Sequence, residues 1–461
     1  MWSQREMSYT SASMCNGSLM TMSAAKQPQG EKMGNARLDR NTLPLSLLLA
    51  LLHGCGGTPD EAGQSNAGLA LPPGFSATVF ADDVGPARHI AVNDNGDVYV
   101  ALRRDGDTLA GGGLLALRDN DGDGEADVQL RFGPEDVDTG LTIHEGALYF
   151  STTTEVYAIP LSGALAPTGD PELVVGGFPA QRSHSAKPIT FDDEGHLYVN
   201  SGAPSNACQE ERRTRGSPGL RPCPQLERSG GIWRFVGAFR DQDQMGDGLR
   251  FSTGHRQVVA MEYNPLEDQL YLVMHGRDQL DQLFPEHYTE SDRVELPAEE
   301  FHAVNHGDNL GWPYTYWDPF RNQRMVAPEY GGDGETATGP GPYKSPLIGF
   351  PAHYAPNDLI FYTGEQFPER YYGGAFIAFH GSWNRAPERQ AGYNVVFVPM
   401  ANGVPSGDWE VFADGLVGTE SVESPGDAAH RPSGLAQGPD GELYVTDDQG
   451  GRIWKVTYTG G

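Results

Sequence analysis

The 461-residue chain is long enough for several average domains or for one large all-β domain. Its 60 glycines and 34 prolines suit many short strands joined by tight turns and exclude an architecture of long helices. With 62 acidic against 32 basic residues, the net charge of −30 excludes nucleic acid and a directly bound anionic membrane as partners, and it leaves cations admissible.

In chain order, residues 1–55 read as leader. Arg37 and Arg40 precede an apolar run at 43–52 that leads into His53-Gly54-Cys55. The run is far short of the roughly 20 residues a membrane span needs. The pattern resembles a bacterial lipoprotein signal with lipid on Cys55 and a start at Met33, and Cys15 falls within the leader. It implies a cell-envelope protein, periplasmic or outer-membrane, that touches the membrane only through its lipid. Residues 56–70, rich in Gly and Ala, then form a flexible tether.

From residue 71 one phrase recurs: an apolar run, an acidic or Gly turn, and a second run carrying Tyr. It stands at 90–101, 143–151, 189–200, 261–273 and 435–446. Alternating runs around such a turn are a β-hairpin signal. Runs at 113–117, 156–160, 231–235, 393–399 and 452–458 supply partner strands. Each set makes a four-stranded antiparallel blade, and about 390 residues at about 65 per blade predict an all-β, six-bladed β-propeller over 71–461. Pairing of the first strand after Leu71 with the C-terminal strands closes the ring and removes exposed edges. The apolar run at 375–380 is placed as the inner strand of a further blade.

Two inserts, 206–229 and 278–346, interrupt the phrase. The second contains Gly311-Trp312-Pro313-Tyr314-Thr315-Tyr316-Trp317. Long ordered loops of this kind are either functional or packed by their aromatics onto the propeller face. Cys208 and Cys223 bracket the first insert; in an exported chain they pair as a disulfide, the alternative being two buried free thiols.

Three sets of residues bear on chemistry. Asp119, Asp121, Asp123 and Asp127 stand at positions 1, 3, 5 and 9 of a calcium-type loop with Gly124 at 6, but Leu130 replaces the closing Glu. This is either a structural calcium site or an ordinary acidic turn. His184, Arg256 and Arg431 each precede an expected inner strand, so a propeller brings them to one end of its axis. Two guanidinium groups suit an anionic planar ligand, and His suits proton transfer near neutral pH. His144, in a hairpin turn, is placed at the surface.

The motifs R-S-H-S-A-K-P with F-D-D-E-G-H-L-Y-V-N-S-G, S-T-G-H-R-Q, G-W-P-Y, H-G-S-W-N-R and H-R-P-S-G-L-A-Q-G-P-D-G-E-L-Y-V-T-D-D follow in this order over about residues 71–458. Together they resemble the soluble pyrroloquinoline-quinone-dependent sugar dehydrogenases, the sorbosone dehydrogenase branch in particular. The resemblance implies a six-bladed propeller with the quinone and Ca²⁺ at its axis, oxidising an aldose or related sugar at the anomeric carbon and passing electrons to an external acceptor.

Matched motif by motif, His184 resembles the general base and Arg256 the arginine beside the quinone oxygens, followed by Gln257 where Asn is usual. Arg431 resembles a carboxylate clamp. Gly276 and Arg277 stand where backbone carbonyls bind the catalytic calcium. Asn384 and Arg385, after Trp383, fall at a further cofactor contact, Asn384 where the glucose-oxidising branch has lysine. His275 and His380 are the other histidines expected near the axis. Two readings compete with a dehydrogenase: a non-catalytic propeller binding protein or glycan on a lipoprotein tether, and a metal-dependent lactonase, which needs carboxylate or Asn ligands on an axis whose expected residues are basic.

Overall fold

The computed structural model describes residues 66–103, 111–419 and 421–460. The leader with Cys15 and Cys55, and most of the tether, lie outside the described residues. One compact unit spans Glu61–Gly461.

This unit is a six-bladed β-propeller of four-stranded antiparallel sheets. From the axis outward, blade 1 runs Ala87–Val92, Val98–Leu102, Gly113–Arg118 and Val128–Phe132. Blade 2 runs Leu141–His144, Ala147–Ser151, Val156–Pro160 and Glu172–Gly176. Blade 3 runs Ile189–Phe191, His196–Ser201, Gly231–Val236 and Leu249–Thr253. Blade 4 runs Val258–Asn264, Gln269–Met274, Glu299–Val304 and Ile348–Phe350. Blade 5 runs Pro356–Phe361, Ala375–Phe379, Asn394–Val398 and Glu410–Ala413. Blade 6 takes Pro432–Gln437, Leu443–Asp447 and Ile453–Tyr458 from the C-terminus and its outer strand, Phe75–Ala81, from the N-terminus, with Phe75 opposite Tyr458.

Middle strands of a blade are covered on both faces by the neighbouring blades, so they read as continuous apolar runs. Ala375–Phe379, Ala-Phe-Ile-Ala-Phe, is buried at every position. Between blades 5 and 6, Phe376, Phe397, Phe412 and Trp454 share one core cluster, and Phe75 brings the N-terminal strand into it. The hairpin turn of blade 3 is held by its own acid: Asp192 Oδ1 accepts from the backbone N of Glu194 (3.0 Å) and His196 (2.8 Å).

Four expectations need correction. The run at 375–380 is the second strand of blade 5, not an inner one; the inner strand is Pro356–Phe361. An innermost strand has one unpaired edge, which tolerates the proline that masks its signal. The insert at 278–346 is not one loop, because Glu299–Val304 within it is the third strand of blade 4. The tether ends earlier than residue 70: Leu69 is buried in the core of blades 5 and 6, and Ala70 pairs with Asp414. His144 is half-buried, its ring stacked on Phe191 at 4.0 Å between centroids.

Candidate active site

In each blade the inner strand begins, and the second strand ends, at the same end of the axis. At that end a cavity of about 270 Å³ is lined by His184, Arg256, His275, Asp278, Glu299 and Asn384, among others. Trp383 stands at its lip, 55% exposed.

His184 adopts a left-handed backbone, φ 55°, a conformation that a non-glycine residue keeps only where its surroundings enforce it. Gln181 Nε2 enforces it, donating to the carbonyls of Ser183 (2.9 Å), His184 (3.0 Å) and Gly202 (2.8 Å). Gly202 must be glycine, since a Cβ there would run into the His184 carbonyl and Gln257 Oε1. His184 Nδ1 lies 2.6 Å from the Ala203 carbonyl. A carbonyl only accepts, so Nδ1 carries the proton and Nε2 keeps its lone pair, with no protein partner among the described residues. Burial, then the charge of Arg256, pushes its pKa from 6.5 down to about 3.

Two more histidines line the cavity in the same manner. His275 Nε2 donates to the Pro356 carbonyl (2.7 Å) and His353 Nε2 to that of Arg293 (2.8 Å). Burial lowers both.

Arg256 is buried, with Nε on Asn206 Oδ1 (3.2 Å) and Nη2 on Asp278 Oδ2 (2.7 Å). Its Nη1 donates to no described protein atom. Asp278 also takes Arg213 Nη2 on Oδ2 (3.0 Å) and Asn384 Nδ2 on Oδ1 (3.2 Å). Burial alone would raise its pKa, but Arg256, His353 and Arg213 hold it at about 2.

Gly276 donates its N–H to Glu299 Oε2 (2.8 Å). Burial pushes Glu299 up to about 8. Neither the Gly276 nor the Arg277 carbonyl accepts a hydrogen bond among the described residues, while the Arg277 side chain turns away to pair with Glu329. Gln257 Oε1 and Asn384 Oδ1 are buried without partners.

A free guanidinium N–H, an unprotonated imidazole nitrogen, two orphaned amide oxygens and two unbonded carbonyls beside a carboxyl suit an anionic planar ligand together with a hard cation.

The structure does not bring every expected residue here. Arg431 lies outside this cavity: Nε and Nη2 donate to the carbonyls of His380 (3.1 Å) and Gly381 (2.9 Å). Arg385 turns to the C-terminal end of the short helix Glu290–Glu295, donating to the Val294 carbonyl (2.9 Å) and to the Glu295 carboxylate Oε1 (3.0 Å). His380 is committed to Asp448 (2.6 Å), which also holds Arg88 (2.8 Å). Further down the axis a second cavity, about 280 Å³, carries Glu262 and Asp358, so the axis is not uniformly basic. Asp119, Asp121 and Asp127 bring carboxylate oxygens within 4.8 Å of one another, a cluster that does not include Asp123, and all four carboxylates accept from backbone N–H groups of the loop. This loop joins the third and fourth strands of blade 1, at the end of the propeller opposite the cavity.

Sequence reasoning missed Arg213, Glu299 and His353, none of which carries a local signal. Asp278 was visible in His-Gly-Arg-Asp but passed over for its neighbours' carbonyls.

Cys208 and Cys223 are bonded, with Cα atoms 6.2 Å apart, and clip the insert that reaches this wall. Replacing both by alanine is expected to lower unfolding free energy by about 3 kcal/mol, the loop-closure value for a ring of this size; denaturant titration against the oxidised protein checks it.

The sequence profile of the family described as TrAA12-like matches residues 69–459. A pyrroloquinoline quinone-dependent pyranose dehydrogenase of Coprinopsis cinerea is 27% identical over 245 residues, 46% of this chain and 31% of the relative. An uncharacterised protein of Borreliella burgdorferi is 26% identical over 207 residues, 44% of this chain and 48% of its own. The matches thus span about a third to a half of these relatives' lengths. Among solved structures, the iodide form of the Trichoderma reesei family AA12 enzyme superposes with TM-score 0.67 at 18% identity, over 85% of this chain and 98% of that one. The holo pyranose dehydrogenase quinone domain of Coprinopsis cinerea gives 0.65 at 17%, over 84% and 97%. The apo aldose sugar dehydrogenase of Escherichia coli gives 0.55 at 18%, over 83% and 99%.

Proposed function

The chain belongs to the TrAA12-like family over residues 69–459, and from that premise we propose that it is an exported dehydrogenase oxidising a pyranose or related aldose at the anomeric carbon, with pyrroloquinoline quinone and Ca²⁺ as cofactors. The carrying observation is the pairing of an unprotonated His184 Nε2 with the unbonded Nη1 of Arg256 in one cavity.

When bound, the quinone and Ca²⁺ supply the hydride acceptor. Arg256 Nη1 would hold its oxygens, Asn384 and Gln257 its polar edge, and the Gly276 and Arg277 carbonyls the calcium. His184 Nε2 takes the proton from the anomeric hydroxyl as the C–H bond breaks. Its pKa of about 3 belongs to the protein alone, and an anionic ligand alongside raises it, because negative charge favours imidazolium. Asp278 fixes the Arg256 plane. An external acceptor then removes the two electrons.

The test is sugar-dependent dye reduction that appears only after both Ca²⁺ and the quinone are added. Dye reduction without quinone, or none with both present across an aldose panel, overturns the reading.

Export rests on Cys55 and the run before it. Cys55→Ser is expected to move the protein from the membrane to the soluble fraction; an unchanged membrane fraction removes the lipid anchor from the proposal.

A further inference from the structure

Arg256 and Asp278 form a pair with no net charge, which by itself offers an anionic ligand little. A third group changes that balance. Arg213 puts Nη2 on the same Asp278 oxygen, 3.0 Å away, where Arg256 sits at 2.7 Å. One carboxylate between two guanidinium groups leaves the cavity wall with a surplus positive charge.

Arg213 is held there by its loop. It has a left-handed backbone, φ 50°, and its N–H donates to Gln209 Oε1 (3.0 Å) inside the ring closed by Cys208 and Cys223. Its neighbour Arg212 donates to the Pro204 carbonyl (2.7 Å) and Ser183 Oγ (3.3 Å), beside His184. The clipped loop therefore touches the cavity on the His184 side and on the Asp278 side.

We propose that Arg213 is a positioning residue: by sharing Asp278, it keeps Arg256 from being fully neutralised and so available to the anionic ligand. The inference rests on the quinone reading above. Asp278 is buried but the Arg213 side chain is 42% exposed, so solvent screens part of the interaction and the effect is moderate.

The test titrates pyrroloquinoline quinone, followed by its absorbance in Ca²⁺ buffer, into wild type, Arg213→Gln and Arg213→Lys, with turnover measured at saturating quinone. Arg213→Gln is expected to weaken binding about three- to tenfold, to keep saturating turnover within about twofold, and to lose most of its difference from wild type at high salt. Arg213→Lys should recover most of the affinity, which a purely structural defect would not allow. Identical titrations for wild type and Arg213→Gln overturn the inference and leave the quinone reading standing. So does a turnover loss at saturation with unchanged affinity, which would place Arg213 in the chemistry. Absence of quinone uptake by wild type sinks the reading and the inference together.

Discussion

His184→Asn is expected to lower turnover by about 10²–10⁴ at saturating quinone and Ca²⁺, the usual cost of losing a positioned base, while cofactor uptake stays intact. The asparagine amide can still donate to the Ala203 carbonyl that anchors Nδ1 at 2.6 Å, so the loop keeps its contact. What disappears is the lone pair of Nε2, and the anomeric proton then has no acceptor as the C–H bond breaks. Cofactor absorbance verifies occupancy, and stopped-flow reduction at several pH values measures the step. Loss across the whole range is expected, because no pH restores a base that is absent. Near-normal turnover in a variant with full occupancy would move the role to His275, whose Nδ1 is another neutral imidazole acceptor in the cavity.

Unfolding of the cofactor-free protein is expected to need most denaturant near pH 6.5 and less on either side. His184 and His255 stay neutral when folded. Burial, then Arg256 for the first and His302 with Arg250 for the second, pushes both from 6.5 down to about 3. His255 is fully buried with both ring nitrogens unpartnered, so a charge there has nothing to offset its desolvation. Below pH 6.5 the unfolded chain takes up these two protons and the folded one does not. Stability therefore falls as pH drops from 6.5 toward 3, by about 1.4 kcal/mol per pH unit for each histidine.

Glu262 acts in the opposite sense. Burial, then the charge of Asp358, pushes it from 4.5 up to about 8. Its folded form keeps a proton that the unfolded chain releases, so its share of stability is present below 4.5 and lost as pH rises through 8. From 4.5 to 6.5 two histidine protons oppose one carboxyl proton, giving a shallow rise. Below 4.5 the acid limb steepens. From 6.5 to 8 only Glu262 titrates among these three, and stability declines. Urea midpoints at pH 4, 5, 6.5 and 8 read the curve, and His255→Gln should flatten its acid limb. A midpoint still climbing between 6.5 and 8 would mean that Glu262 is ionised in the folded protein.

The parts of this molecule set by neighbours in sequence were legible from the sequence by itself. The recurring hairpin phrase, with Asp192 bonding backbone groups two and four residues on, is local chemistry, and its repetition determined the six-bladed ring and its closure through Phe75–Ala81. His184 and Arg256 were visible because a strand entrance is a position along the chain. Only the tertiary structure decided which polar groups share a cavity. Arg213, Glu299 and His353 come from three separate stretches of the chain, and no periodicity links them. Pro356–Phe361 became an inner strand because a free edge was there to accept its proline. Arg431 and Arg385 stand in the sequence where cofactor contacts were expected, yet each guanidinium turns to backbone carbonyls. A long cationic side chain goes to the nearest unsatisfied acceptors in space, and where those stand is fixed by how the blades and their loops pack, not by the residues on either side of it.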